Sequence, residues 1–118
     1  MSIRIDSLLS LHAQALELRV KRSEILAANL ANADTPGYQA KDIDFAAEMR
    51  RLQAGESLDS GLEPRLLYRV PSQPSQDGNT VELSVEQAEF SRNAMDFQTS
   101  LTFLSMQVRG LKQAIEGR

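Results

Sequence analysis

Residues 84–116 read SVEQAEFSRNAMDFQTSLTFLSMQVRGLKQAIE. Within them Phe90, Ala94, Phe97, Leu101, Leu104, Val108, Leu111 and Ile115 follow one another in steps of 4-3-4-3-4-3-4. That is a sustained period of about 3.5 residues, the mark of a left-handed coiled-coil seam rather than of a helix lying on a globular core. Ser84, followed three residues later by Gln87, has the capping-box pattern and predicts the N-cap of a helix over 84–116. A helix with such a stripe needs a partner.

The partner is written at the other end of the chain. Residues 6–33 carry Leu8, Leu11, Ala15, Leu18 and Ile25 in steps of three and four, with Arg22 filling the gap. Leu9, Leu16, Leu26 and Leu30 widen the stripe on an adjoining face, and Asp6 or Ser7 is the expected N-cap. Continuing the rhythm brings Asn29 and Asn32 onto the apolar side.

Between the helices, residues 34–83 have a different character. Asp44 is placed to cap a short helix over 45–53, with Phe45, Met49 and Leu52 on one side and Gly55 beyond it. From Gly55 to Asn79 the chain is rich in Gly, Ser, Pro, Gln and Asp, which predicts loop. LLYRV at 66–70 and TVEL at 80–83 are β-like, and Asp77-Gly78 between them is a turn signal, so a small hairpin is expected there. Such a pair of strands is marginal in water by itself. This zone is expected to be mobile unless something packs on it. The fold class that follows is mainly α. Two long terminal helices pair as an antiparallel coiled coil around an irregular middle, all within a single domain of residues 1–118.

Composition excludes several functions. A net charge of −3 gives no footing for nucleic acid, which asks for clustered Lys and Arg. No window approaches the roughly 20 apolar residues of a membrane span, so no direct membrane insertion is expected. The N-terminal stretch also lacks the apolar run and cleavage site of a secretory signal. There is no Cys, and the single histidine, His12, has no nucleophile or carboxylate placed beside it by sequence. Asp42 and Asp44 in KDIDF are two acids without a metal-ligand spacing, and helix initiation accounts for the second. No catalytic, cofactor-binding or metal-binding set emerges, and the expectation is a protein that is not an enzyme.

What remains is the stretch ANLANADTPGYQAKDIDF at 28–45. A polar residue on a seam costs stability and specifies register or partner, because its amide must find hydrogen bonds once buried. Here Asn29 and Asn32 are followed by Asp34 and Thr35, whose side chains suit local backbone bonds. Thr35 precedes proline and is pushed out of the α region. Pro36-Gly37 then fits the two centres of a type II turn, with Tyr38 as an amphipathic anchor. A plain helix stop needs less than this, so the stretch reads as a docking element.

Asn29, Ala31, Asn32, Asp34, Thr35, Pro36, Gly37 and Tyr38 together resemble the signature of bacterial flagellar axial proteins of the rod and hook class. The continuation Ala40–Phe45, the GNTVEL before the last helix and the LKQAI near the C-terminus are similar to the short proximal-rod branch of that family. The resemblance implies a structural subunit exported through the flagellar type III apparatus without a cleaved signal. It also implies helical self-assembly in the basal body, with the FliE adaptor and the MS ring beneath and rod proteins such as FlgC above. In that setting the seam and the 29–38 motif become assembly elements. The alternative from the residues alone is a cytosolic helical-hairpin export chaperone, which needs no Thr-Pro-Gly-Tyr element.

Overall fold

The computed structural model describes residues 2–55 and 64–117. Two long helices, α1 (Ser2–Ala31) and α3 (Leu83–Glu116), flank strand β1 (Lys41–Ile43), helix α2 (Phe45–Gln53) and strand β2 (Leu66–Tyr68). Helices of this length run about 45 and 51 Å at roughly 1.5 Å per residue. They account for most of a molecule measuring 64 × 26 × 19 Å.

The helical pair is antiparallel, as its contacts show. His12 meets Phe103, Arg19 meets Asp96, Arg22 meets Glu89, and Asn29 meets Glu86, so one index falls as the other rises. The mainly helical architecture expected from the two periodicities is therefore observed.

Several local expectations need correction. The first helix begins at Ser2, so neither Asp6 nor Ser7 caps it: nothing in the preceding residues breaks a helix, and both lie inside it. It ends at Ala31 rather than at residue 33: the Asn32 amide is shared between the Ala28 and Asn29 carbonyls, and the Ala33 amide bonds back only three residues, to Leu30. The capping box at Ser84 and Gln87 is not formed. The last helix starts one residue earlier, with Glu82 at its N-cap position and no side-chain cap bond. Glu82 is occupied elsewhere, accepting from the Ser72 amide and hydroxyl.

The expected hairpin is also re-paired. Strand β2 runs antiparallel to β1, with Lys41 opposite Tyr68 and Ile43 opposite Leu66. TVEL forms no strand. Its Thr80 instead joins the chain just before β1, donating from its amide to the Tyr38 carbonyl while its hydroxyl accepts from the Ala40 amide. The Asp77-Gly78 turn is present, with Gly78 at φ +78, but it folds Asn79 toward the end of α1.

Helix α2 is as expected. Asp44 Oδ1 accepts from the Ala47 amide at 3.2 Å, and the helix ends just before Gly55. Thr35–Tyr38 closes as a turn through the Tyr38 amide and Thr35 carbonyl, with Gly37 at φ +75 as a type II turn requires.

The core is small and mixed. Among the described residues the buried apolar side chains are Leu18, Leu26, Ala40 and Ile43, whereas Asn29, Glu48, Asn79, Glu86 and Asn93 are buried polar ones. Polar groups out of water must be hydrogen-bonded or paired. Specific polar contacts, more than apolar area, therefore hold the middle of the chain to the helices.

Candidate assembly site

Asn29 sits at the junction of everything. Its Nδ2 donates to the Lys41 carbonyl at 2.7 Å and to Glu86 Oε2 at 2.9 Å, while its Oδ1 accepts from the Lys41 amide at 3.0 Å and from the Tyr38 hydroxyl at 3.3 Å. One fully buried amide thus joins α1, the signature turn, the start of β1 and α3. Asn32 does a different job. Its Nδ2 donates back to the Ala28 carbonyl at 2.8 Å and its Oδ1 accepts from the Thr35 hydroxyl at 3.1 Å. It seals the helix's own end and is not a second seam amide. Ala31, Asp34, Pro36 and Gly37 lie exposed around it.

Asn79 closes the same junction from far along the chain. Its Nδ2 lies 2.7–3.0 Å from the carbonyl oxygens of Asn32, Ala33 and Thr35, which the end of α1 leaves without helical partners. Its Oδ1 accepts from the Val81 amide at 2.7 Å.

Beside Asn29 runs a chain of alternating charge. Glu89 and Asp42 share Arg22, at 2.8 and 2.9 Å, and Asp42 and Glu86 share Arg69, at 2.9 and 2.6 Å. Glu86 and Glu89 stand three residues apart on α3, so the chain starts and ends on one helical turn after passing through α1, β1 and the residue after β2. For Asp42, burial pushes toward the neutral acid. It is outweighed by the hydrogen bond from Arg22, the Ile43 amide and the charges of Arg22 and Arg69, which hold the carboxyl below its ordinary range. The Asp42 hydrogen bond in turn raises Arg22, against the cost of burial. Further along, the Arg19 guanidinium carbon lies 3.9 Å from the centre of the Phe45 ring, tying α1 to α2, and Arg19 also pairs with Asp96.

The expected seam splits between the two helices. On α1, Leu18 is buried, Leu11, Ala15 and Ile25 are half-buried, and Leu8 is exposed. On α3, Phe97, Leu104 and Leu111 are half-buried, whereas Phe90, Ala94, Leu101, Val108 and Ile115 face solvent, the last at 85%. What α3 turns toward α1 over its first half is a polar row: Glu86, Glu89, Asn93 and Asp96. Those four residues, Arg69 and Asn79 were not singled out from sequence. They read as ordinary surface residues there, and only the four on α3 carried a usable signal, their recurrence every three or four residues beside the seam.

The arrangement has the chemistry of a clamp. Among the described residues no group of His, Asp or Glu could hold a metal ion, and no helix is long and apolar enough to cross a membrane. The family model described as flagella basal body rod protein matches residues 9–39, the span that leads from α1 into the signature turn. The flagellar basal body rod protein FlgB of Salmonella typhimurium is 42% identical over 97% of this chain and 96% of its own length. The chain belongs to the FlgB family of flagellar basal body rod proteins. FlgB of Escherichia coli K12 is likewise 42% identical, over 96% of both chains. FlgB of Cereibacter sphaeroides (strain ATCC 17029) is 45% identical over 92% of this chain and 94% of its own. These relatives are rod proteins, and neither fold nor family favours the export-chaperone alternative.

Proposed function

We propose that this FlgB-family chain is a structural subunit of the proximal rod, folded as one domain over residues 1–118 and without catalytic activity. It polymerises with further copies of itself, and FlgC-like rod proteins, the FliE adaptor and the MS ring are its neighbours. It reaches the periplasmic part of the basal body through the flagellar type III apparatus, without a cleaved signal.

The observation that supports this reading is the outward row on α3. Phe90, Leu101, Val108 and Ile115 keep coiled-coil spacing yet face solvent, and an apolar groove lined by Leu9, Val108, Leu111 and Ile115 opens at the end of the pair. Apolar surface of that order in a folded chain marks an interface. A contact between that row and a different face of the next copy is heterologous, and such contacts propagate as open helical filaments. The signature turn then acts inside each subunit, fixing where the middle segment leaves the helices and which surface it offers to neighbours.

The test is a pair of outward substitutions, Leu101→Glu and Val108→Glu, in a strain lacking the native gene. The isolated variant should keep its helix content, while motility and recovery of the chain with detergent-extracted basal bodies are lost. Normal motility with both substitutions would sink the reading of this row as the assembly surface.

A further inference from the structure

Asn93 is fully buried against α1, where its Nδ2 donates to the Arg19 carbonyl and to the Ser23 hydroxyl, each at 2.8 Å. Its Oδ1 accepts no hydrogen bond among the described residues. A buried amide with one end unsatisfied is a poor way to gain stability, and a leucine at this position would bury more apolar area. Asn93 therefore needs another justification.

The opposite helix supplies one. On α1, Leu9, Leu16, Ser23 and Leu30 stand seven residues apart, and the one polar member of that row faces Asn93. The half-buried apolar residues of α3 repeat with the same period, as Phe97, Leu104 and Leu111. Such a repeat offers little resistance to sliding by a heptad, because each large side chain lands where another stood. Asn93 resists in both directions. One heptad of slip carries it opposite Leu16 or Leu30, where an equivalent backbone carbonyl remains but the Ser23 hydroxyl is replaced by hydrocarbon and leaves part of the amide unpaired. The ion pairs Arg22–Glu89 and Arg19–Asp96 discriminate less, because Glu82, Glu89 and Asp96 stand seven apart and a slip exchanges one acid for another.

We propose that Asn93, with Ser23 as its specific counterpart, is a register-determining residue of the α1–α3 pair beside the buried Asn29–Glu86 contact. The register assignment stands on the contacts above. Its consequence for assembly rests on the rod reading: a fixed register sets Leu101, Val108 and Ile115 at fixed heights along the subunit for the next copy.

The chain has no cysteine, so introduced ones report without background. His12 and Phe103, whose ring centres are 5.7 Å apart, mark the described register. In the full chain, His12→Cys/Phe103→Cys should be joined by a short bismaleimide. His12→Cys/Gly110→Cys and His12→Cys/Asp96→Cys, which report one heptad of slip either way, should not. Adding Asn93→Leu should preserve helix content and raise the slipped products at least tenfold, and Ser23→Leu should do the same. If Asn93→Leu loses its helix, Asn93→Ala, which removes the amide without adding bulk, is read in the same way. Exclusive 12–103 joining in a folded Asn93 variant overturns the proposal, as does loss of helix in both. Normal motility with a slipped register would count against the rod reading instead.

Discussion

Arg69 Nε lies 2.6 Å from Oε1 of Glu86, a carboxylate with no exposure to solvent. This pair joins the strand region to α3, and among the described residues the other side-chain donor to Glu86 is the Asn29 amide. Removing one partner of a buried ion pair costs more than the pair contributes, because the other charge is left without compensation. Arg69→Met should therefore destabilise the fold by about 3–5 kcal/mol. Arg69→Met/Glu86→Leu should recover a large part of that loss. Urea titrations of the four members of the cycle measure both numbers, and equal stability of the single and double variants would contradict the account.

Asn29 and Asn32 should behave differently despite standing one turn apart. Asn29→Leu removes four hydrogen bonds that hold Tyr38, Lys41 and Glu86 together, so amide exchange at 38–43 and 66–68 should quicken by orders of magnitude while the helices stay protected. Asn32→Leu removes two bonds at an exposed helix end, and its effect should stay within about 1 kcal/mol. Equal exchange in the two variants would refute the division of roles.

At Gly37 the demand is on the backbone alone. A Cβ there meets nothing within 4 Å, but φ is +75. Gly37→Ala should cost about 1–2 kcal/mol, the penalty of an L-residue in the left-handed region. Thermal unfolding of this variant checks it, and no loss of stability would mean that the turn rearranges.

The pH dependence has a definite sign. Asp42 has its carboxyl held below the ordinary range, so its contribution to stability is fully present above the unfolded-state value of about 3.9. The contribution is lost as pH falls through the lower folded value. Urea midpoints should thus be flat near neutrality in this respect and fall in acid. Asp42→Asn should be less stable near neutrality and lose less on acidification. Parallel curves for the two proteins would remove Asp42 as a cause.

The helices were legible because seven and three-and-a-half are periods that survive in sequence, and Asp44 and Pro36-Gly37 were legible because their conformations are set by near neighbours. Strand pairing was not. LLY and TVEL are equally extended in composition, and only Asn79, drawn to carbonyls 44 to 47 residues away, decides that TVEL turns aside. The seam residues were correctly spaced, but spacing does not say which face of α3 meets α1. That choice belongs to Glu86, Glu89 and Asn93, whose partners on α1 lie 57 to 74 residues distant.

The contact made by Asn79 also bears on the order in which the molecule is completed. The Asn79 amide that joins the Asn32, Ala33 and Thr35 carbonyls lies 44 residues beyond Thr35, so a chain that emerges N-terminus first makes this contact only once two thirds of it is available. Closing so long a loop is the slow kind of step in folding. The end of α1 is thus closed early by its own Asn32 and the turn that follows, and is tied to the rest of the subunit only when Asn79 arrives.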